Sequence, residues 1–425
     1  MPFKEHGRQY DLVVLGASGY TGQLTAEHIV THLPTNLKWA LAGRSSNKLQ
    51  AVVEQCKQLN ADRQAPGIEL ADTNNEEQLV ELAKKTHILI TTVGPYCIYG
   101  EKVVKVCAET GTHYLDCTGE FPWVRRMIEK YEKSAQASGA LLFPQFGIES
   151  APADLCAYLL AQSVRKETGS TCKDVTLTIA ELNSAPSGGT LATVLSIFDK
   201  FSLGEVRAAT GPYALSPIKH AEPSRKPGGI LQAIFGSHYV PELGSLTTSP
   251  AGSTDATQVE RSWGLFATTP SLQSQQYGPN FRFAEYYTAK SWLAGVGIHW
   301  ALLFGGLMLA IVPPVRSLVK MFVYQPGQGP EKSGHHKESI EYRGFAHPDV
   351  PKEDSKSSQK AYVKARFEGG SMYYLTGLLL AQGALTLLEE DVQLEGGFYT
   401  PACLKQPLVD RVNKAGFKTE TRMLA

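Results

Sequence analysis

Three features are missing from this sequence, and each absence removes a class of protein. Forty-one Lys and Arg balance 41 Asp and Glu, so there is no excess of positive charge to bind nucleic acid, and we expect no nucleic-acid partner. The seven cysteines contain no C-x-x-C pair and no H-E-x-x-H pattern occurs, so we expect no metal site. Residues 1–9 are polar, so we expect no secretory signal and a cytosolic protein.

Long apolar runs are scarce, with one exception at residues 292–312. His299 is the only ionisable residue in this run, and a helix of this length matches the roughly 30 Å hydrocarbon core of a bilayer. We therefore expect contact with the cytosolic face of a membrane or with a lipid droplet, either as a spanning helix or as a hairpin in one leaflet. A buried helix or hairpin of a soluble domain is the alternative, since four glycines weaken the helix.

Short apolar runs alternate with helical patterns up to about residue 150. The six runs that read as strands are Tyr10–Leu15, Lys38–Ala42, Ile68–Ala71, Ile88–Thr92, Tyr114–Cys117 and Leu141–Phe143. Such alternation produces right-handed crossovers and a parallel sheet with helices on both faces. The sequence thus predicts an α/β fold, with a doubly wound Rossmann domain at residues 1–150.

A change of rhythm after residue 150 predicts a second, α+β domain at residues 151–370. It begins with a helix at 153–167 and a strand at 175–182, followed by strands and irregular loops of a substrate domain. Residues 325–360 are polar and read as a solvated loop, in which His335 and His336 are not expected to bind a metal. Residues 371–425, with a helix at 372–388, are expected to pack back on the first domain.

The strongest local motif joins the first predicted strand to a helix through Gly16, Gly19 and Gly22. In a dinucleotide-binding fold such glycines allow a tight turn, the approach of backbone N–H groups to a pyrophosphate and close packing of helix and strand. The intervening polar residues expected to assist are Ser18, Tyr20 and Thr21. We therefore predict a nicotinamide dinucleotide cofactor.

Arg44 follows the second predicted strand, where an NAD enzyme normally places an acid against the ribose 2′-hydroxyl. A guanidinium group suits a 2′-phosphate, and Ser45 and Lys48 could assist it, so NADP(H) is predicted to be preferred over NAD(H). Asp72, after the third strand, is expected near the adenine. Its alternative role is to cap the helix that starts near Asn75.

The loop after the fourth strand is expected to border the nicotinamide, because ligands of doubly wound folds lie at the carboxyl ends of the strands. The loop residues predicted to bind the cofactor are Thr92, Val93, Gly94 and Pro95. Tyr96 is the first candidate for a catalytic proton donor and Tyr114 the second. Other candidate donors lie near the later strand ends: His113, Asp116, Glu120, Glu149, Ser150 and Asp154. For Tyr114, Asp116 and Glu120, capping and buried hydrogen bonding at the strand ends are at least as strong an alternative as catalysis.

With these motifs the chain resembles the saccharopine dehydrogenase-like oxidoreductases, which include trans-acting enoyl reductases. The motifs that carry the resemblance are Y-D-L-V-V-L-G-A-S-G-Y-T-G, L-A-G-R, T-V-G-P-Y, Y-L-D-C-T-G-E, the S-G-G-T at 187–190 and the final G-G-F-Y-T-P-A. The resemblance implies a Rossmann domain, an inserted α+β domain, a returning C-terminal helix and NAD(P)-linked activity. For eukaryotic members it also implies association with lipid droplets or membranes. Saccharopine-forming members carry a G-L-D-P-G type loop where this chain has residues 146–150, so an amino-acid substrate is disfavoured.

Three functions fit the sequence. The first is an NADPH-dependent reductase for an activated C=C bond of a hydrophobic, lipid-like or carrier-bound substrate. The second is a saccharopine-type or imine reductase, whose carboxylate substrates would need cationic side chains in the second domain. The cationic residues available there are Arg207, Lys219, Arg225 and Arg261. The third is a non-catalytic nucleotide-binding protein of a lipid surface.

Overall fold

Two seven-stranded sheets organise this computed structural model, which describes residues 3–184, 195–222, 230–322 and 338–424. The first sheet is wholly parallel, in the order β13-β6-β5-β4-β1-β2-β3. Its strands are β1 Tyr10–Leu15, β2 Trp39–Gly43, β3 Gly67–Leu70, β4 Thr86–Thr91, β5 His113–Asp116, β6 Leu141–Phe143 and β13 Gly397–Phe398. The six predicted strands are confirmed to within two residues, and so is the doubly wound fold.

Helices link the parallel strands and cover both faces of the first sheet. They are α1 Tyr20–His32, α2 Ser46–Leu59, α3 Glu76–Lys85, α4 Tyr96–Tyr99, α5 Glu101–Thr110 and α6 Phe121–Ser138. Nearly all β1 side chains are buried, as expected for a strand covered on both faces. Because all seven strands point the same way, their carboxyl ends and following loops meet at one edge of the sheet.

The second sheet is mixed, in the order β14-β12-β11-β7-β10-β9-β8. Its strands are β7 Cys172–Asn183, β8 His238–Val240, β9 Gly244–Thr248, β10 Arg282–Ala289, β11 Ser339–Pro348, β12 Lys360–Glu368 and β14 Lys418–Leu424. The accompanying helices are α7 Ala151–Thr168, α8 Leu203–Ala209, α9 Ile230–Phe235, α10 Gly252–Thr268, α11 Trp292–Ile311, α12 Pro313–Phe322, α13 Met372–Glu389 and α14 Lys405–Ala415. Residues 195–200 are also helical.

Two predictions for the second domain are wrong. Residues 325–360 are not all solvated loop, because β11 pairs on both sides, with β7 and β12, and most of its side chains are buried. Residues 184 to about 278 were predicted to form strands and irregular loops. This region also contains α10, a helix of 17 residues that is buried along most of its length. His335 and His336 lie outside the described residues, as does the S-G-G-T motif at 187–190.

The C-terminal segment divides between the two sheets. Helix α13 returns to the first domain and packs on α1 so closely that a side chain on Gly377 would lie 2.8 Å from the Thr25 backbone. Strand β13 then extends the first sheet beside β6. Strand β14, however, pairs with β12 of the second sheet, so the prediction that residues 371–425 pack on the Rossmann domain is wrong for this last strand.

The apolar run forms one continuous helix, α11, in which Gly295 is the only buried residue. Its first half is held on β9, where Thr247 Oγ1 donates to Gly295 O at 2.6 Å and Thr248 Oγ1 lies 2.7 Å from His299 Nδ1. The large exposed apolar side chains of its second half are Trp300, Leu303, Phe304, Leu307, Met308 and Ile311. The alternative of a buried helix is therefore wrong for this structure.

Candidate active site

The glycine-rich turn has the geometry of a dinucleotide cradle. Gly16 directly follows β1 and has a φ of +87°, a conformation that favours glycine. A Cβ on Gly22 would lie 2.3 Å from Gly16 O, so only glycine lets α1 pack this closely on the turn. Helix α1 has Gly19 at its N-cap and no side-chain cap, so N–H groups of its first turn lack a helix acceptor and suit a pyrophosphate.

The end of β2 fits a phosphorylated ribose. Arg44 is exposed, and no hydrogen bond or ion pair within the described ranges uses its side chain. Ser45 is the N-cap of α2, and its Oγ accepts from Lys48 N at 3.5 Å. Lys48 is exposed one turn into that helix. A free guanidinium beside the cradle is what a 2′-phosphate requires.

Asp72 does not cap the third helix. Its Oδ1 accepts from the backbone N–H of Asn74 at 2.9 Å and from the Asn74 side chain, while Asn75 is the cap of α3. The helix-capping alternative is therefore wrong, and its position near the adenine stays a prediction.

The loop after β4 is joined directly to the glycine turn. Thr92 Oγ1 donates to Leu15 O at 3.4 Å and to Gly16 O at 3.3 Å. Val93 lies so close to Gly16 that a Cβ there would be 2.7 Å from Val93 Cγ2. The half-buried residues that complete this loop are Gly94 and Pro95. The tertiary structure thus brings both predicted cofactor segments together at the carboxyl edge.

The two tyrosines predicted as proton donors have structural roles in this structure. Tyr96 Oη donates to Thr91 O at 3.0 Å and lies 3.3 Å from Cys117 Sγ. Tyr114 Oη donates to Asp116 Oδ2 at 2.6 Å. Both side chains are buried, and burial raises the pKa of each hydroxyl well above its usual value. Both hydroxyl groups thus make contacts within the protein, and their catalytic assignment stays a prediction.

Asp116 connects the loops after β5 and β6. Its Oδ1 accepts from the backbone N–H groups of Thr118 and Gln145, each at 2.9 Å. Burial raises the pKa of Asp116 to about 6, although these hydrogen bonds oppose the rise. Asp116 therefore organises the rim of the site from within the protein.

Most of the other candidate donors are likewise occupied within the protein. His113 Nδ1 accepts from Leu141 N at 3.1 Å, and burial lowers the pKa of this imidazole to about 4. Asp154 Oδ2 accepts from Ala402 N at 2.8 Å, and its other oxygen accepts from Ser262. These groups hold elements of the protein together.

Glu149 differs from these candidates because the residue is half-buried and, among the described residues, its carboxyl group forms no hydrogen bond. It lies against the loop after β5, where a Cβ on Gly119 would be 2.2 Å from Glu149 Oε2. Burial, and secondly the charge of Glu120, raise the pKa of Glu149 to about 7. A carboxylic acid with this pKa can release and regain a proton near neutral pH.

A pair of buried carboxyl groups from the second domain lies on the same side of the site. They are Asp255, in the first turn of α10, and Glu285, on β10, and burial raises the pKa of both. The charge of Glu285 raises the pKa of Asp255 further, whereas the contact with Asp255 lowers the pKa of Glu285. Ser249 Oγ donates to Glu285 Oε1 at 2.7 Å. Two such carboxyl groups in contact retain a proton. Tyr342 Oη, which donates to Ile148 O at 3.4 Å, faces them from β11.

Sequence reasoning missed Asp255, Glu285 and Tyr342, because each lies on a different element far along the chain and none belongs to a local motif. The cationic residues proposed for carboxylate recognition are not gathered here. Arg261 is buried and donates to Leu215 O and Phe398 O, whereas Arg207 is exposed on α8. Lys219 is also exposed, and Arg225 lies outside the described residues.

A doubly wound sheet, a glycine cradle and a free acid at the carboxyl edge together define the class of nicotinamide dinucleotide oxidoreductases. The Saccharopine dehydrogenase NADP binding domain family matches residues 12–143. The matched range contains the glycine cradle, β4 and the loop that follows β4. An NADP-type nucleotide is therefore the cofactor of this domain.

Comparison with curated proteins extends the likeness to the whole chain. It is 30% identical over 433 residues to the trans-acting enoyl reductase of Mycobacterium leprae, covering 98% of this chain and 99% of that protein. It is also 30% identical over 434 residues to the trans-acting enoyl reductase of Mycobacterium tuberculosis, with the same coverage. The chain belongs to the saccharopine dehydrogenase-like oxidoreductase family that includes these reductases, and it is an oxidoreductase rather than a non-catalytic protein.

A solved structure shows the same fold. Apo saccharopine dehydrogenase (L-Glu forming) from Saccharomyces cerevisiae aligns with a TM-score of 0.52 and 14% identity, covering 98% of this chain and 100% of that chain. At this identity the likeness concerns the fold alone. It supports the arrangement in which a second sheet is inserted between the Rossmann strands and a returning helix.

Proposed function

We propose that this protein uses NADPH to reduce an activated C=C bond, of the enoyl type, in a hydrophobic lipid- or polyketide-like substrate, free or bound to a carrier. The observation that carries the proposal is Glu149, a half-buried acid with a pKa of about 7 at the carboxyl edge of the cofactor-binding sheet. The relatives named trans-acting enoyl reductase along the whole chain support the choice of an enoyl group.

The proposed chemistry divides between cofactor and protein. When bound, NADPH would supply the hydride for one carbon of the double bond. Glu149 donates its proton to the other carbon, so that C=C becomes CH–CH, and the carboxylate is then reprotonated from solvent through its exposed side. Gly16, Gly19 and Gly22 hold the pyrophosphate, and the loop from Thr92 to Pro95 bounds the nicotinamide.

The preference for NADPH over NADH rests on Arg44. Its exposed guanidinium follows β2 and has no competing partner in the described part of the chain. With a 2′-phosphate it would form charge-assisted hydrogen bonds that the 2′-hydroxyl of NADH does not offer.

The test begins with fluorescence titration of the purified full chain with NADPH and NADH. Oxidation of NADPH is then followed with α,β-unsaturated acyl thioesters of increasing chain length. Glu149→Gln should reduce kcat by roughly 10²- to 10⁴-fold, the usual effect of losing a general acid. Glu129→Gln, on the exposed face of α6, is the matched control and should retain activity. The proposal would be refuted if the wild-type protein bound NADPH but none of the enoyl thioesters caused its oxidation.

The second candidate, a saccharopine-type or imine reductase, is disfavoured because the cationic side chains that would bind its carboxylate groups are not gathered at the site. Arg261 is buried and donates to Leu215 O and Phe398 O, whereas Arg207 and Lys219 are exposed. The same assay with amine and 2-oxo acid pairs separates the candidates. Oxidation of NADPH by such a pair, and not by enoyl thioesters, would favour the second.

We further propose that α11 attaches the protein to the cytosolic face of a membrane or to a lipid droplet, which would bring it near hydrophobic substrates. Among the described residues, α11 is the one helix long and apolar enough to cross a membrane. Core helices of soluble proteins that are equally long and apolar are mostly buried, whereas only 6% of this helix is buried. Arg316 on α12 donates to Leu309 O and Ala310 O at the end of α11.

Co-sedimentation with phosphatidylcholine vesicles tests this attachment. Leu303, in the exposed half of α11, is 48% exposed, and Leu303→Lys should weaken vesicle binding by roughly 100-fold, since a Lys in the hydrocarbon core costs about 3 kcal/mol. Leu59, on α2, is 49% exposed, and Leu59→Lys is the matched control. Equal vesicle binding by the two variants, or none by the wild type, would refute the attachment.

A further inference from the structure

Glu120 is a buried carboxyl group at the site that the proposed chemistry does not use. It lies between β5 and α6 and has no exposed surface. Its Oε1 accepts from Tyr96 N at 2.7 Å, and its Oε2 accepts from Cys97 N at 2.7 Å. Both oxygens thus have N–H donors, which favours the ionised form and opposes the effect of burial on its pKa.

These two hydrogen bonds fasten the loop after β4 to the loop after β5. Tyr96 directly follows the predicted nicotinamide-binding residue Pro95 and begins α4. The Glu120 backbone N–H in turn donates to Thr118 Oγ1 at 3.1 Å. The carboxylate therefore sets the position of one wall of the cofactor site relative to the next strand.

Glu120 is also next to the proposed acid. The preceding residue is Gly119, and a Cβ added to Gly119 would lie 2.2 Å from Glu149 Oε2. The absence of a side chain at Gly119 is what lets Glu149 approach this backbone. Consistent with this geometry, the charge of Glu120 adds to burial in raising the pKa of Glu149.

The other titratable groups that face Glu149 come from three neighbouring elements. They are Cys117 on the loop after β5, Asp255 at the start of α10 and Tyr342 on β11. Burial raises the pKa of each, which favours its neutral form. Glu120 differs from these neighbours because both of its oxygens accept N–H hydrogen bonds, which stabilise the charged form.

We propose that Glu120 is a positioning residue of this site, which fixes the turn at residues 95–97 through its two hydrogen bonds and keeps the proton on Glu149 through its charge. The inference rests on the proposed function, in which Glu149 must carry a proton, and Glu120 is the residue that keeps it protonated. It is nevertheless testable without turnover, since the protonation of Glu149 can be observed directly.

The experiment is an infrared titration of carboxyl groups in the purified full chain, with the Glu149 band identified by its loss in Glu149→Gln. In the wild type this band should titrate near pH 7. In Glu120→Gln it should titrate lower by roughly one pH unit, the usual size of a single neighbouring charge. Glu120→Asp keeps the charge, so the Glu149 band should titrate near the wild-type pH. The thermal midpoint of this variant should fall, because the shorter side chain weakens the two hydrogen bonds. Glu129→Gln, which removes an exposed charge from α6, should titrate as the wild type.

Glu120→Ser is the second neutral variant if Glu120→Gln does not fold, because Glu120 occupies the N-cap position of α6 and serine is a favoured N-cap. A Glu149 titration that is the same in the neutral variants and in the wild type would overturn the inference. A wild type without enoyl reductase activity, but with the expected shift in these titrations, would refute the proposed function and leave the role of Glu120 standing.

Discussion

Replacing Gly119 with alanine tests the role of Glu149 without changing its carboxyl group. The added Cβ would lie 2.2 Å from Glu149 Oε2, whereas ordinary contact begins at 3.4 Å, so the carboxyl group must retreat by about 1.2 Å (3.4 minus 2.2). Gly119 is not among the glycines with positive φ, so the substitution adds no backbone strain there. A displacement of about 1 Å in a reacting group can lower a rate by roughly 100-fold, or about 2.7 kcal/mol of activation free energy.

The assay compares kcat for NADPH oxidation with an enoyl thioester and, separately, the Kd of NADPH. We expect Gly119→Ala to lower kcat by about 100-fold and to leave the Kd near that of the wild type, because the cradle from Gly16 to Gly22 is untouched. Gly204→Ala is the control, since its nearest neighbour would be 3.8 Å away. A Gly119→Ala enzyme with wild-type kcat and pH dependence would refute the assignment of Glu149 as the proton donor.

Three further predictions concern the cofactor and the buried acids. Arg44→Ala should weaken the binding of NADPH by at least about tenfold and leave the binding of NADH nearly unchanged, as the two Kd values from fluorescence titration would show. Gly22→Ala, whose Cβ would meet Gly16 O at 2.3 Å, should weaken both nucleotides together. The pKa of Asp255 is higher folded than unfolded, so its contribution to stability is full below about pH 4 and falls as pH rises, by up to about 1.4 kcal/mol per pH unit. Asp255→Asn should flatten that decline in urea unfolding at pH 4 to 9.

Each of these predictions has a contrary result. Equal losses of affinity for NADPH and NADH in Arg44→Ala would contradict the role of Arg44 at the 2′-phosphate. Arg207 is an exposed cation on α8, and the control variant Arg207→Ala should change neither affinity. Normal nucleotide binding by Gly22→Ala would contradict the cradle. An unchanged slope of stability against pH in Asp255→Asn would mean that this carboxyl is ionised in the folded protein.

Local patterns predicted the first domain well because each strand and its following helix are adjacent in sequence. The spacing of Gly16, Gly19 and Gly22 and the basic residue at Arg44 are signals that need no distant partner. The strand β11 was missed because its polar residues, among them Glu341, are buried by pairing with β7 and by ion pairs that form only in the folded sheet. Its sequence alone therefore reads as exposed loop.

The candidate acid illustrates the same division. In the sequence, Tyr96 is the first candidate donor and Glu149 is one of several others, and both follow strands of the first sheet. In the folded protein the Tyr96 hydroxyl is buried and donates to Thr91 O. Glu149 keeps some exposure, and burial and the charge of Glu120 raise its pKa. Which of them can donate a proton depends on solvent access and on neighbouring charge, and neither is a local property of the chain.

The sequence by itself determined the doubly wound domain, the dinucleotide cradle and the long apolar helix, because hydrophobic period, glycine spacing and run length act over a few neighbouring residues. The tertiary structure decided that this helix is exposed, that the last strand joins the second sheet and that Glu149, Glu120 and Asp255 meet at one edge. These outcomes depend on contacts between elements far apart in the chain, whose packing sets burial, charge and hydrogen bonding together.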